Sequence, residues 1–378
     1  MAEPVILFHY HLAQEFPAEL ERMHQLFPDH HFVVAHGEEE FHHQLPTAQV
    51  IIAPPQPATV LDRAASLRAH IVPFAGVNRV PVSWYIEHEV LLASSHGNAD
   101  AVAERAVALM YAAAGRIVEF DHDLRQGRWH RRQDPVQPFD YWRSLTGSRV
   151  AVLGTGAIGC RIAALVAPLV GGHPMAGSAA DNSVNPGIDG EIVGFNRGNS
   201  APGEENRPAS RIVTAESGAA GEMEARHPER AFGRLTTNLP TAIAGADVVF
   251  VALPLTTRTR GILTHDLLQA TNQATLVNVS RAEIIPEDQL YQALTDSTLY
   301  AAGLDVWYRH PEPFWDEGPQ SIPGTQPFHT LSNVVLSPHA ASHSRRGKQA
   351  QFRGALSHLE EYLKTGTLSR TVDMRRGY

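Results

Sequence analysis

The chain has 378 residues, of which 43% are hydrophobic and 19% are charged, a composition that predicts about two ordinary globular domains and excludes a disordered chain. Its formal net charge of −9 argues against a nucleic-acid partner, because nucleic-acid binding needs a basic face. The first residues lack the features of a signal peptide, and the most apolar helical stretch, 101–117, carries charged side chains. We therefore expect a cytoplasmic protein with no membrane association.

Cysteine and histidine give little sign of a metal or redox centre. Cys160 is the only cysteine, which excludes an intrachain disulfide and a cysteine-based zinc site. Histidines occur as adjacent pairs at 30–31 and 42–43, whose side chains usually diverge, and the H-E-x-x-H motif is absent. We predict no metal.

The N-terminal segment alternates short apolar strands with helical patterns. Strands are predicted at 4–9, 31–35, 50–53 and 71–74, and helices at 18–26 and 61–67. A longer helix, 98–117, begins with an asparagine that can cap it. This rhythm indicates a parallel sheet covered by helices on both faces.

A second series of strands and helices begins near residue 149. Its strands are predicted at 150–153, 192–195, 248–253, 275–279, 300–304 and 334–336. A closing helix at 345–363 has one apolar face, and we expect it to return to the first domain. The Gly-, Ser- and Asn-rich segment 171–190 is predicted to be a surface insertion, and 198–221 is similarly polar.

A glycine-rich turn joins the strand at 150–153 to a helical run. It reads Gly154, Thr155, Gly156, Ala157, Ile158 and Gly159. In this context the first glycine permits a tight turn, the second lets a pyrophosphate approach the backbone, and the third lets the helix pack on the strand. We therefore predict dinucleotide binding; the alternative is a tight turn without a ligand.

The end of the next strand indicates which dinucleotide binds. If 171–190 is an insertion, this position falls on Asn196 and Arg197, where no carboxylate would repel a 2′-phosphate. Arg197 could pair with that phosphate, which favours NADP(H) over NAD(H), although an arginine can also merely stack on adenine. The alternative alignment takes 174–177 as the strand and Asp181 as the acid that would bind the ribose of NAD.

Polar residues follow the later strands: Arg281, Asp305 and His339. Because the carboxyl ends of parallel strands face the ligand crevice, we expect the three to converge near the nicotinamide.

In these motifs the chain resembles the D-isomer-specific 2-hydroxyacid dehydrogenases. The resemblance lies in the ordered segments 98–104, 154–159, 253–256 with 259–261, 277–281, 304–306 and 337–339. It implies an α/β protein with two doubly wound parallel-sheet domains. A Rossmann cofactor domain, 98–341, would lie within a discontinuous flavodoxin-like substrate domain, 1–97 plus 342–378, and helix 98–117 would help to form a homodimer.

The resemblance also implies roles for single residues. Arg281 would bind the 2-oxo acid and polarise its carbonyl, His339 would act as the general acid and base, and Asp305 would orient the nicotinamide amide. The substrate carboxylate would bind backbone N–H groups of the loop formed by Ala75, Gly76, Val77 and Asn78. Further cofactor contacts are implied for Leu253, Pro254, Thr259, Val279, Ser280 and Ala341. The alternatives are a structural ion pair for Arg281, a hydrogen-bonded histidine at a strand end for His339 and a turn cap for Asp305.

The chain departs from the family where a glutamate normally pairs with the catalytic histidine. His310 occupies that position, and an imidazole cannot supply the fixed negative charge that favours a protonated His339. Glu312 could replace the glutamate only if the loop shifts its register. Ala282 also stands where the family has glycine after the arginine.

Three functions remain open from the sequence. The first is reduction of a small 2-oxo acid such as glyoxylate or hydroxypyruvate. The second is a formate- or phosphite-type dehydrogenase, suggested by the Asp305-Val-Trp loop and its following proline. The third, of another class, is a dinucleotide-sensing scaffold like the related C-terminal-binding corepressors.

Overall fold

The computed structural model describes residues 5–129, 141–171, 190–196, 207–208, 232–309 and 323–374. It contains two compact units, Met1–Ala101 with Ser342–Tyr378, and Val102–Ala341. The described strands are β1 Val5–Phe8, β2 His31–Val34, β3 Ala48–Ile52, β4 Ala69–Val72, β5 Leu91–Ser94, β6 Arg149–Leu153, β7 Glu191–Phe195, β8 Arg207–Pro208, β9 Arg234–Thr236, β10 Val248–Val251, β11 Thr275–Asn278, β12 Ala301–Leu304 and β13 Val334–Leu336.

The described helices are α1 Tyr10–Glu15, α2 Pro17–Leu26, α3 Glu38–Gln44, α4 Ala58–Leu61, α5 Val82–Glu87, α6 Ala99–Ala114, α7 Ile117–Arg125, α8 Ala157–Val170, α9 Leu239–Ile243, α10 His265–Leu268, α11 Glu287–Thr295 and α12 Arg345–Thr365. The described residues also form short 3-10 helices at Leu45–Thr47, Ala282–Ile284 and Phe328–Thr330.

The first unit contains a five-stranded parallel sheet in the order β2-β1-β3-β4-β5. This is the flavodoxin-like order, with its topological switch point between β1 and β3. β4 is buried along its whole length, as expected for a strand with helices on both faces. α12 packs Phe352, Leu356 and Leu359 into the core beside β1 and β4, so the prediction that the closing helix returns to the first domain is confirmed.

The second unit contains an eight-stranded sheet in the order β13-β12-β11-β10-β6-β7-β9-β8. All pairs are parallel except β8 with β9. The central strands β10, β11 and β12 are fully buried between two hydrophobic clusters, which explains their nearly continuous apolar sequences. Chain order reverses between β6 and β10, where a Rossmann sheet binds its ligand. The predicted fold class is confirmed.

Several element boundaries differ from the sequence prediction. The helix predicted at 98–117 ends at Ala114, because Arg116 adopts the left-handed region with φ of 50° and α7 starts afresh. The helix predicted at 61–67 is α4, Ala58–Leu61, followed by turns. Strand β7 coincides with the preferred alignment for the second Rossmann strand, while the alternative at 174–177 lies outside the described residues.

The insertion predicted at 171–190 also lies outside the described residues apart from its two terminal glycines, so it stays a prediction, as do the predicted domain boundaries. Among the described helices, none is both long and apolar enough to cross a membrane. Within the same residues, no group of three or more histidine, cysteine or acidic side chains could hold a metal ion.

Candidate active site

The glycine-rich turn between β6 and α8 has a shape that requires two of its glycines. Gly154 has φ of 107°, and a Cβ there would lie 2.5 Å from the Ala252 carbonyl oxygen. A Cβ on Gly159 would overlap the Gly154 carbonyl oxygen. A Cβ on Gly156, by contrast, would meet no atom within 4 Å. Thus Gly154 and Gly159 close the turn, and the space beside Gly156 is open to a ligand.

The start of α8 completes this cradle. The helix begins at Ala157, with Gly156 as its N-cap residue, and runs for 14 residues. Its first N–H groups lack intrahelical acceptors and carry the positive end of the helix dipole, an arrangement that suits a pyrophosphate. The open space, the glycines and the helix terminus therefore fit a dinucleotide; the predicted cofactor contacts of Gly154, Gly156, Ala157, Ile158 and Gly159 stay predictions.

The end of β7 lies beside the cradle. The Gly154 N–H donates to the Phe195 carbonyl at 3.0 Å, and the next residue, Asn196, donates its N–H to the Thr236 carbonyl at 3.0 Å. Asn196 is thus at the position where Rossmann proteins recognise the adenosine ribose. Arg197 lies outside the described residues.

The turn after β10 is held by side-chain hydroxyls. The Thr259 hydroxyl donates to the Pro254 carbonyl at 2.6 Å and accepts from the Thr256 N–H at 2.8 Å, and the side chain is buried. Ser280 donates to the Leu253 carbonyl at 2.5 Å, which joins this turn to the next one. In the structure Thr259 and Ser280 shape the backbone; their contact with a cofactor stays a prediction.

Arg281 projects from the turn after β11. Asn278 organises this turn, because its side-chain amide donates to the Arg281 carbonyl and accepts from the Ser280 N–H, both at 3.0 Å. Val279 is buried beneath it. Arg281 itself is half-buried, and one guanidinium nitrogen donates to the Ser280 carbonyl at 2.7 Å. The guanidinium is a planar fork of donors, and the turn held by Asn278 fixes the backbone from which it projects.

Asp305 follows β12 and holds the loop that carries His339. One carboxylate oxygen accepts from the Ser337 hydroxyl at 2.5 Å and the Ala340 N–H at 2.9 Å, and the other accepts from the Ala341 N–H at 2.9 Å. Asp305 is 1% exposed. Three bonds use most of the acceptor capacity of a carboxylate. The structure thus gives Asp305 a role in fixing this loop, and its predicted contact with the nicotinamide remains untested.

His339 has a backbone conformation that is energetically costly for a residue with a Cβ. Its φ is 56°, and its N–H donates to the Ser337 carbonyl at 3.0 Å across Pro338. A residue other than glycine in the left-handed region costs about 1–3 kcal/mol and persists only where its surroundings impose it. Here the imposing contacts come from Asp305 and from Trp307, whose indole donates to the Ser337 carbonyl at 2.8 Å.

The sheet places the predicted residues on one edge of the second unit. β12 separates β11 from β13, and neighbouring strands lie about 4.8 Å apart, so the ends that carry Arg281 and His339 are about 10 Å apart. That gap suits a small molecule bound between two long side chains. His310 and Glu312 lie outside the described residues, so neither partner for His339 can be placed.

The predicted substrate loop belongs to the first unit. Ala75, Gly76, Val77 and Asn78 follow β4 at the carboxyl edge of its sheet. Val77 is buried and its carbonyl accepts from the Val80 N–H at 3.1 Å, which anchors the loop, while Asn78 is exposed.

Sequence reasoning missed four residues that build the site: Arg105, Asn278, Trp307 and Ser337. Asn278 and Ser337 lie within the motif segments 277–281 and 337–339 but were given no role, and a polar residue at a buried strand end was an available signal. Arg105 donates to the Ser337 hydroxyl at 3.1 Å across 232 positions of chain, a contact that no local pattern announces.

Comparisons with known proteins agree with this geometry. The family model for the D-isomer specific 2-hydroxyacid dehydrogenase, NAD binding domain, matches residues 107–179 and 219–341, more than half of the chain. The chain therefore belongs to the D-isomer-specific 2-hydroxyacid dehydrogenases, oxidoreductases that transfer hydride between a nicotinamide cofactor and a 2-oxo or 2-hydroxy acid.

Individual relatives are similar over most of their length. A glyoxylate reductase of Korarchaeum cryptofilum (strain OPF8) is 26% identical over 305 residues, which cover 80% of this chain and 75% of the relative. The glyoxylate/hydroxypyruvate reductase B of Serratia proteamaculans (strain 568) is 25% identical over 94% of both chains. The structure of an NADPH-dependent glyoxylate/hydroxypyruvate reductase from Sinorhizobium meliloti, with NADP and malonate, covers 99% of this chain and 98% of its own, with a TM-score of 0.65 and 22% identity.

Proposed function

We propose that the protein reduces a small 2-oxo acid of the glyoxylate or hydroxypyruvate type, with NADPH as its preferred reductant. The observation that carries the proposal is a single sheet edge: the glycine cradle, Arg281 and His339 follow β6, β11 and β13, with one strand between each of these and the next. The names of the relatives support the substrate class.

Arg281 would bind the substrate and polarise it. Its guanidinium stands on a turn made rigid by Asn278, so it can present two parallel N–H donors to the carboxylate and the 2-oxo oxygen. The same donors stabilise the negative charge that develops on that oxygen when hydride, supplied by the reduced nicotinamide, reaches the carbonyl carbon.

His339 would give the proton that the new hydroxyl needs and take it back in the oxidation direction. The bonds to Asp305 fix the loop that carries His339, and an acid on a fixed loop needs little reorganisation when the proton moves. The loop Ala75, Gly76, Val77 and Asn78 would receive the far end of the substrate through backbone N–H groups. His310 would contact His339 in place of the family glutamate.

The preference for NADPH follows from the end of β7. Asn196 provides no carboxylate to repel a 2′-phosphate, and the next residue, Arg197, carries the charge that would pair with it. The relative from Sinorhizobium meliloti binds NADP, which supports the same preference. The cofactor contacts of Leu253, Pro254, Thr259, Val279, Ser280, Asp305 and Ala341 belong to this proposal.

The experiment measures by absorbance the oxidation of NADPH with a panel of glyoxylate, hydroxypyruvate, pyruvate and longer 2-oxo acids. In the reverse direction it measures the reduction of NADP+ with formate and with phosphite. We expect turnover with one or more 2-oxo acids, and its loss in His339→Ala with an unchanged dissociation constant for NADPH. Turnover with formate or phosphite alone would support the second function. Tight cofactor binding without turnover of any substrate would identify a scaffold.

We also propose a homodimer formed through the Rossmann domain, 98–341, and a cytoplasmic location, as the resemblance implies. Sedimentation equilibrium of the purified chain measures the first, and a mass equal to one chain at all concentrations would contradict it.

A further inference from the structure

Asp305 stands apart from the other acidic residues of the described chain. In residues 5–129, 141–171, 190–196, 207–208, 232–309 and 323–374, it is the only aspartate or glutamate that is buried. No cationic nitrogen of these residues lies within ion-pairing distance of its carboxylate. A buried charge needs compensation, since water no longer solvates it. Its three hydrogen bonds provide one part of this compensation.

Arg105 provides the other part through one intervening hydroxyl. The Ser337 hydroxyl has a single hydrogen, which points to Asp305 at 2.5 Å, so its oxygen is left as an acceptor. The Arg105 guanidinium on α6 donates to that oxygen at 3.1 Å. Guanidinium, hydroxyl and carboxylate form a chain in which each bond polarises the next.

Arg105 has no competing acid in the described part of the protein. None of the described carboxylates lies within 4 Å of its guanidinium, and among the described residues its side-chain hydrogen-bond partner is Ser337, while the residue is otherwise exposed. An arginine on a helix surface can pair with an acid three or four positions away. This one instead turns its charge toward the loop that carries His339.

We propose that Arg105 is a positioning residue for His339, acting through Ser337 and Asp305. The inference rests on the proposed role of His339 as general acid. The left-handed backbone of His339 is imposed by the bonds from residues 337, 340 and 341 to Asp305. Removing the Arg105 charge removes the first hydrogen bond of this series and frees the Ser337 hydroxyl to rotate. The buried Asp305 carboxylate then has less compensation for its negative charge. The loop then no longer confines the imidazole.

The test compares Arg105→Ala and Arg105→Lys with Arg125→Ala, which removes an exposed arginine from the next helix. Arg125 pairs with Asp121 at the surface and touches no part of the site. We expect Arg105→Ala to lower kcat for the best 2-oxo acid by about 10- to 100-fold, the effect of misplacing a reacting group by about 1 Å. The dissociation constant for NADPH should stay within about threefold of the parent value.

Three further measurements separate positioning from general destabilisation. Arg105→Lys should recover more than half of the logarithmic loss, because an ammonium can still donate to Ser337. The solvent isotope effect on kcat should rise in Arg105→Ala, because proton transfer from a loose imidazole becomes slower than the other steps. The double variant Arg105→Ala with Ser337→Ala should lose no more activity than Ser337→Ala alone, because both changes interrupt the same series of hydrogen bonds.

Hydrogen exchange keeps the inference testable without turnover. The N–H groups of Ala340 and Ala341 donate to Asp305, so a peptide covering 334–341 should exchange about tenfold faster in Arg105→Ala than in the parent or in Arg125→Ala, if opening of the loop becomes about tenfold more populated. Unchanged exchange together with parental kcat would overturn the inference while leaving the proposed function intact. Absence of turnover in the parent, with faster exchange in Arg105→Ala, would overturn the function and keep the structural link.

Discussion

At the scale of single residues, His70 is a buried titratable group whose protonation state is set by its neighbours. Its Nδ1 lies 2.6 Å from the Tyr85 hydroxyl, and its Nε2 lies 3.0 Å from the Ala53 carbonyl oxygen. A carbonyl only accepts, so Nε2 carries the hydrogen and Nδ1 accepts from the tyrosine. Burial lowers the pKa of His70 to about 4 and raises the pKa of Tyr85, so both stay neutral at physiological pH.

This lowered pKa makes stability depend on pH in one direction. In the unfolded chain His70 has its ordinary pKa of 6.5 and takes up a proton below that pH, whereas in the native protein its pKa is about 4. The contribution of His70 is therefore complete above pH 6.5 and is lost as pH falls toward 4, by up to about 3 kcal/mol. Urea unfolding of the parent and of His70→Gln at pH 7, 6, 5 and about 4 would measure it.

We expect His70→Gln to be less stable at pH 7 but to lose less stability on acidification than the parent. Tyr85→Phe is the control, because it removes a hydrogen bond and leaves the imidazole in place, so its profile should keep the parental slope. Parallel profiles for the parent and His70→Gln would show that another group governs acid sensitivity in this range.

At the scale of elements, the glycines of the glycine-rich turn have different roles. Gly154 and Gly159 are needed for the fold, whereas Gly156 leaves space for a ligand. Gly159→Ala forces a Cβ against the Gly154 carbonyl, so the contact of α8 with β6 must open. Gly156→Ala meets no atom within 4 Å and should change the free energy of unfolding by no more than about 0.5 kcal/mol, the usual range for an open site. The same methyl group would occupy space needed by a pyrophosphate.

We therefore expect Gly156→Ala to keep the parental Tm and to lose affinity for NADPH by at least tenfold, or about 1.4 kcal/mol. Gly159→Ala should lower Tm even without ligand. Differential scanning fluorimetry and fluorescence titration measure the two quantities. Parental affinity in Gly156→Ala would place the pyrophosphate elsewhere.

The segment 171–190 offers a second test at this scale, because its two ends meet in the structure. A Cβ built on Gly190 would lie 2.7 Å from the Val170 carbonyl oxygen and 2.9 Å from the Ser148 carbonyl oxygen. A short turn can thus join α8 to β7, and a longer loop changes the closure free energy by only about 0.6 kcal/mol per doubling of length. Replacement of residues 172–189 by a turn of four or so residues should change Tm little and keep activity. Loss of folding would show that the segment packs on another part of the protein.

The sequence predicts the buried strands better than it predicts the contacts that build the site. β10, β11 and β12 were predicted because a strand buried on both faces needs an unbroken apolar run, which is visible locally. The break between α6 and α7 was missed because Arg116, with a side chain, takes a conformation usually reserved for glycine. Arg281 and His339 are predicted from their motifs, whereas the bonds from Ser337 to Asp305 and Arg105 join residues far apart in sequence and depend on tertiary packing.

At the scale of the whole molecule, the two units have separate cores. Clusters around Leu7 and Ile6 stabilise the 1–101 and 342–378 unit, and clusters around Leu153 and Val152 stabilise the 102–341 unit. A ligand that binds only the native form of one unit stabilises it by mass action, by about 2.7 kcal/mol at a concentration 100 times its dissociation constant. Thermal stability therefore reports cofactor affinity without reference to catalysis.

The last prediction uses this linkage to determine cofactor preference. At equal concentrations, NADPH should raise Tm more than NADH, because Arg197 adds a charge-assisted pair with the 2′-phosphate worth about 1.5–3 kcal/mol. Arg197→Ala should bring the two shifts together by reducing that of NADPH. Asn196→Asp should reverse their order, since a carboxylate at the end of β7 accepts from the ribose 2′-hydroxyl of NADH and repels the phosphate. Arg125→Ala, which leaves the charge beside β7 untouched, should reproduce the parental shifts. A larger shift with NADH in the parent would mean that Arg197 stacks on adenine instead, and the preference would then belong to NAD.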